Sequence, residues 1–184
     1  MGSGEYTDEE LLILFRDEKQ REAAFSVLVN KYQEQLYWHI RKIVLSHMDT
    51  DDILQNVFIK VWKNLLNFRN DSSLYTWLYR IATNETISFI KKQKKNQMVS
   101  YDDYINSVAN NAVTEGYFTG TEIQNKLQKA ILTLPDKQRI IFQMKYFEEL
   151  KYDEMSKILR TSVGALKASY HHAVKKIQIF LKNN

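Results

Sequence analysis

From Glu22 to about Leu45 the apolar side chains Phe25, Leu28, Val29, Tyr32, Leu36, Ile40 and Ile43 recur at every third or fourth residue. A helix gathers that spacing onto one stripe, whereas a strand would send its members to both faces. The spacing returns along most of the chain. Leu11, Leu12, Leu14 and Phe15 carry it first, then Ile53, Leu54, Val57, Phe58, Val61, Trp62 and Leu65, then Leu74, Trp77, Leu78, Ile81, Ala82, Ile87 and Ile90. It resumes in Ile123, Leu127, Ile131 and Leu134, then in Ile140, Ile141, Met144 and Phe147, and again over about 152–159 and 163–180. Only five Gly and one Pro stand among the 184 residues, too few for the many turns of a β protein. An all-α fold is predicted.

Several helix boundaries can be read as well. Thr7 with Glu10 three residues later forms a capping box. Asp49 or Thr50 is expected to cap the third helix, and Ser72 or Ser73 the fourth, after the polar loop 69–73. Pro135 is expected at a first helical position with Asp136 beside it. Arg160, Thr161 and Ser162 alone separate the last two helices, and Ser162 is placed to cap the second of them.

Charge divides the chain into three. Residues 1–96 carry a net +1, residues 97–121 a net −3 with no basic side chain, and residues 122–184 a net +6. The middle stretch also loses strong periodicity. The expected organisation is therefore two small helical domains, 5–96 and 122–184, joined by a flexible linker over 97–121. The basic final third points toward polyanions, although lysine-rich solvated helix faces also occur in proteins that bind none.

Enzyme chemistry finds little to hold. There is no cysteine, hence no disulfide, thiolate metal site or cysteine nucleophile. Phosphate-cradling glycine loops and H-E-x-x-H are absent from the sequence. The adjacent His171 and His172 project roughly 100° apart on a helix and do not converge on one ion. No catalytic residue, metal or cofactor is expected. No run approaches 18 apolar residues, and no charged-then-apolar leader opens the chain, so a cytoplasmic protein without membrane insertion is predicted.

Three features suit binding instead. Asp49, Asp51 and Asp52 can be read as a magnesium-type carboxylate cluster or, more simply, as acids favoured by a helix N-terminus. Asp52, Gln55, Asn56 and Lys60 also form a polar stripe on an otherwise apolar helix, as a protein-docking face would. Next, Tyr75, Trp77, Tyr79 and Phe89 lie among Arg69, Arg80, Asn84 and the lysines at 91–95, a mixture suited to single-stranded nucleic acid. Core burial of Trp77 and Phe89 is the competing reading. Finally, the last two helices fit a helix-turn-helix whose second member enters a DNA major groove. Small residues at its leading turn (Ser162, Gly164 and Ala165) permit close backbone approach, and residues 165–184 contain no acid.

Asp49-Thr50-Asp51-Asp52-Ile53-Leu54-Gln55-Asn56-Val57-Phe58 with Lys60-Val61-Trp62 resembles the D-x-x-D…Q-E-V-F…W signature of the extracytoplasmic-function group of bacterial RNA polymerase sigma factors. Phe68-Arg69 and the run from Ser72 to Asn84 resemble its F-R…S-S-F-x-T-W-L-Y-R-I-A-x-N block. Leu134-Pro135, Arg139, Phe142, Tyr146 and the stretch from Tyr152 to Lys167 resemble its final segment. The resemblance covers about residues 8–182, with all three blocks in order.

It implies that Asp49, Asp51, Asp52, Gln55, Asn56 and Lys60 dock on the clamp coiled coil of the core polymerase's largest subunit. By the same resemblance, Phe68, Arg69, Asn70, Ser72, Ser73, Tyr75, Trp77, Arg80, Asn84, Lys91, Lys92 and Lys95 meet single-stranded DNA at the −10 element and assist melting. Arg160, Thr161, Ser162, Val163, Gly164, Ala165, Lys167, Ala168, His171, His172 and Lys175 would read the −35 duplex. An anti-sigma factor is a further implied partner. Three departures stand out. Asn56 occupies a usual acid position, Lys151 a usual Ser or Thr cap, and Ser169, His172 and Val174 usual arginines. The sequence-level rival is a stand-alone helix-turn-helix regulator that binds duplex operators without polymerase.

Overall fold

The computed structural model describes residues 6–97 and 122–183. The first part folds as α1 (Asp8–Arg16), α2 (Arg21–Val44), α3 (His47–Asn64), a single 3₁₀ turn (Leu65–Asn67) and α4 (Leu74–Gln97). The second folds as α5 (Glu122–Leu132), α6 (Asp136–Tyr146), α7 (Tyr152–Leu159) and α8 (Val163–Asn183). No strand is present among the described residues, and the fold is all-α as expected. The expected linker over 97–121 lies, apart from Gln97, outside the described residues.

Helix ends follow local hydrogen-bond chemistry. The Glu10 amide donates to Thr7 Oγ1 at 3.2 Å and the Thr7 amide to Glu10 Oε2 at 2.7 Å, completing the capping box. Those bonds to Thr7 hold the Glu10 carboxyl below its ordinary range. Ser73 caps α4, its Oγ accepting the Thr76 amide at 3.2 Å. Ser162 caps α8 through the Ala165 amide at 3.3 Å.

Two boundary expectations need correction. The cap of α3 is Ser46, whose Oγ accepts the Asp49 amide at 3.2 Å, and Asp49 and Thr50 lie inside the helix. This early start is possible because Leu45 ends α2 in a left-handed conformation, φ 62°, so the chain reverses within one residue. Pro135, with ψ 143°, stands at the N-cap of α6, and Asp136 takes the first helical position. The extended ψ keeps the proline outside the helix proper.

α1, α3 and α4 pack around α2, burying Leu11, Leu28, Leu36, Ile40, Val57, Val61, Leu78 and Ala82. Phe15 and Phe25 meet Trp62 edge-on, with ring centroids 5.3 and 5.0 Å apart, an arrangement that aligns ring edges with ring faces. Asp8 accepts the Tyr32 hydroxyl at 2.7 Å, tying α1 to α2; burial and then that carboxylate push the Tyr32 phenol far above its ordinary range.

The second part does not stand clear of the first. Leu132, Ile140, Met144, Leu150, Met155, Ile158 and Leu166 join the same apolar cluster as the α2–α4 core. α7 lies against α4, and α6 touches α2. A smaller cluster of Ala130, Ile131, Leu134, Phe142, Ala173 and Ile177 holds α5, α6 and α8 together. The two helical regions are therefore closed on one another. Among the described residues, no helix is long and apolar enough to cross a membrane.

Candidate nucleic-acid and docking surfaces

α3 buries Ile53, Val57 and Val61 and turns Asp51, Asp52, Gln55, Asn56 and Lys60 to solvent. The periodicity that builds the core thus also builds the polar stripe on the opposite face. Asp49 is the exception, half-buried and accepting the Gln93 amide of α4 at 3.4 Å. Asn56 donates its side-chain amide to the Asp52 carbonyl at 2.9 Å, so the residue replacing the usual acid is partly engaged by its own helix. Lys60 pairs with Glu85 of α4. The Lys60 side chain stays 53% exposed in that pair, so the stripe remains open.

The loop after the 3₁₀ turn forms a second surface. Asn70 takes a left-handed backbone, φ 57°, which asparagine tolerates better than most residues. Phe68 is buried with its ring 5.2 Å from that of Trp77, and Trp77 is only 9% exposed. Both belong mainly to the core, the alternative weighed above for Trp77. Their remaining edges nevertheless border a cleft of about 500 Å³ with Arg69, Ser72 and Arg80. Tyr75 is half-buried against Tyr79, centroids 4.3 Å apart, and burial raises both phenols above their ordinary range. Ser73 is occupied as the helix cap. Farther along α4, Asn84, Lys91, Lys92 and Lys95 are exposed, while Phe89 is half-buried against the core. A straight α4 puts Lys92 fifteen residues, roughly 22 Å, beyond Trp77.

The third surface is the α7–α8 pair. Arg160 makes the turn in a left-handed conformation, φ 49°. Thr161 donates its hydroxyl to the Leu159 carbonyl at 3.1 Å, and Leu166 anchors the pair in the core. Ser162, Gly164, Ala165, Lys167, Ala168, His171, His172 and Lys175 are exposed along α8, and Val163 is half-buried. A Cβ added at Gly164 would meet no atom within 4 Å, so packing does not require glycine there. At the start of α7, Lys151 provides no side-chain cap; Glu154 instead accepts the Lys151 amide at 3.0 Å, supplying one half of a capping box.

Sequence reasoning did not find Ser156 and Lys157. Both sit on α7 and line the same cleft as Arg69 and Arg80, together with Arg160. Sequence reasoning also missed the junction of the two regions at His39, Glu148 and Gln143, which no local spacing could reveal. No group of three or more His, Cys, Asp or Glu able to hold a metal ion occurs among the described residues.

Comparison with known proteins gives two ordered family matches, Sigma-70 region 2 over residues 28–96 and Sigma-70, region 4 over residues 124–177. The chain is 31% identical over 168 residues to the ECF RNA polymerase sigma factor SigW of Bacillus subtilis (strain 168), covering 87% of this chain and 90% of that protein. It is 29% identical over 183 residues to the ECF RNA polymerase sigma-E factor of Escherichia coli (strain K12), covering 95% and 94%. The fold resembles CnrH in complex with the cytosolic domain of CnrY, with TM-score 0.67 at 19% identity and coverage of 96% and 99%. It also resembles the sigma factor RpoE in complex with the anti-sigma factor NepR from Bartonella quintana, with TM-score 0.64 at 20% identity and coverage of 86% and 96%.

Proposed function

The chain belongs to the extracytoplasmic-function family of RNA polymerase sigma factors, and from that premise we propose how its three surfaces divide the work. As a sigma factor it directs RNA polymerase to promoters, by binding rather than by catalysis. The exposed α3 stripe, Asp51, Asp52, Gln55 and Asn56, docks on the clamp coiled coil of the polymerase's largest subunit. Asp49, braced by Gln93, and Lys60, braced by Glu85, flank it.

The observation that carries the DNA assignment is the first region's wall of the cleft, where Phe68, Arg69, Ser72, Trp77 and Arg80 meet and which stays whole when the second region moves away. It combines aromatic edges, hydrogen-bonding groups and positive charge, the requirements for holding an unpaired base and its phosphate. Stacking of exposed bases gives about 1–3 kcal/mol each, comparable with the roughly 1.4 kcal/mol per step lost when duplex DNA unstacks. Binding the open strand at the −10 element therefore offsets melting without any covalent step. Lys91, Lys92 and Lys95 neutralise phosphates beyond that cleft. From Arg160 to Lys175, the turn and α8 read the −35 duplex, with Gly164 and Ala165 allowing close approach. Residues 5–96 and 122–184 act as separate DNA-reading units, and such a factor works in the cytoplasm, where the polymerase and chromosome are. The RpoE relative is held by an anti-sigma factor, and a protein of that kind is a natural partner here.

The test is transcription by purified cognate core polymerase, with and without this chain, on a genomic fragment library. Discrete new starts that require the chain are expected, and their aligned sequences give both elements. Tight duplex binding by the chain alone, with no added initiation, would move the assignment to a stand-alone regulator.

A further inference from the structure

The two helical regions are joined by a buried polar bridge as well as by apolar packing. His39 of α2 is 1% exposed. Its Nδ1 lies 2.9 Å from Glu148 Oε1, in the turn between α6 and α7, and its Nε2 lies 2.9 Å from Thr83 Oγ1 of α4. Thr83 has a single hydroxyl proton, and it goes to the Tyr79 carbonyl at 2.7 Å. Its oxygen must therefore accept from His39. Glu148 can only accept as a carboxylate. Burial alone would raise its pKa, but the charge of His39, the hydrogen bond from it, and Lys42 hold it below the ordinary value. With Glu148 ionised, both imidazole nitrogens are donors and the ring is an imidazolium.

We propose that His39 is a charged latch, in its doubly protonated form clasping Glu148 of the second region against Thr83 of the first and holding the two closed. Beside it, Gln143 of α6 donates to the Lys42 carbonyl of α2, and Lys42 Nζ sits 5.8 Å from the centre of the Phe147 ring. Away from the latch the closed form gathers an excess of positive charge: Arg69 and Arg80 share their cleft with Lys157 and Arg160, against the single carboxylate of Asp71. Repulsion there favours separation, so the latch works against a built-in opening force.

What closure is for rests on the sigma reading above. Elements at −35 and −10 lie 25 base pairs apart by their labels, about 85 Å of duplex at roughly 3.4 Å per pair. In the closed form Arg160 of the −35 reader and Arg69 of the −10 reader border one cleft, so the two surfaces must part before both sites are engaged. Closure therefore depends on the surroundings of the latch. The groups facing it are Glu34 and Lys42 on its own helix, Tyr75 and Tyr79 on α4, and Glu148 from the second region. Of these, Glu148 supplies the counter-charge. Removing either partner of the ring, Thr83 or Glu148, therefore loosens closure.

The experiment uses the full chain alone, so its result does not depend on promoter recognition. Because the sequence has no cysteine, dyes can be placed on cysteines introduced at the exposed Glu18 and Lys182. Energy transfer is compared among the otherwise unaltered chain, Glu148→Gln and His39→Gln, with circular dichroism confirming unchanged helix content. The closed-to-open ratio should fall about tenfold or more in each variant, as expected when a hydrogen bond to a charged group is lost. Ring ¹⁵N shifts of His39 should report two protonated nitrogens in the closed form. Equal transfer in all three proteins, or a neutral His39 ring in the closed chain, overturns the latch.

Discussion

Thr83 and Thr86 offer a matched pair of perturbations. Both are wholly buried in α4, and both hydroxyls donate to a carbonyl one turn back, Thr83 to Tyr79 at 2.7 Å and Thr86 to Ala82 at 2.8 Å. Only Thr83 also accepts from His39. Thr→Val keeps the shape and replaces the hydroxyl by a methyl group. At Thr86 the carbonyl left behind still belongs to the helix ladder, so the change should stay within about 0.5 kcal/mol. At Thr83 the same substitution strands a buried imidazole N–H, at a cost of about 1–3 kcal/mol. For a chain of this length that is a fall in Tm of about 2–12 °C. The measurement is urea unfolding followed by helical circular dichroism for the wild type, Thr83→Val and Thr86→Val. Equal midpoints for the two variants would refute the bonding scheme at His39.

Four further outcomes follow from the same geometry. Replacing Lys91, Lys92 and Lys95 together by Ala should lower open-complex formation across all promoters, as permanganate footprinting would register, while leaving the unfolding midpoint within about 0.5 kcal/mol. Gly164→Ala should raise stability by about 0.4–1 kcal/mol, since its Cβ enters open space, yet weaken −35 duplex binding in gel-shift titrations if α8 approaches through that glycine. Glu148 has a lowered folded-state pKa, so the stability it contributes is present above the ordinary carboxylate value and is lost as pH falls through the folded value. Glu148→Gln should flatten that acid limb of a denaturation profile. Duplex binding by the chain alone should be weak and fall steeply between low and moderate salt, with fluorescence anisotropy giving the slope.

The helices were legible because each carries its own apolar stripe, and Thr7, Ser73 and Ser162 announce their roles by side-chain type. The start of α3 was harder. The turn before it depends on a leucine at positive φ, where sequence reasoning looks for Gly or Asn, so the break seemed longer and Ser46 was passed over. The candidate surfaces were visible as motifs, and the structure exposes most of those residues. Burial of Phe68 and Trp77 depends on what packs above them, which residue type alone leaves open between core and ligand. The meeting of the two regions was not legible. His39 and Glu148 stand 109 positions apart, and each looks ordinary in its own segment.

That junction limits how freely the two halves can be exchanged. A chimera joining residues 122–184 of this chain to the first half of a relative lacking a histidine at the equivalent of His39 would bring in Glu148 without its buried donor. Opening the junction could hydrate the carboxylate, whereas closing it would require neutralisation or a costly unpaired charge. Modular at the level of DNA elements, the chain is not modular at this seam. Substitutions at positions 39, 83 and 148 should therefore be inherited as a set, even though none of the three touches the proposed promoter surfaces.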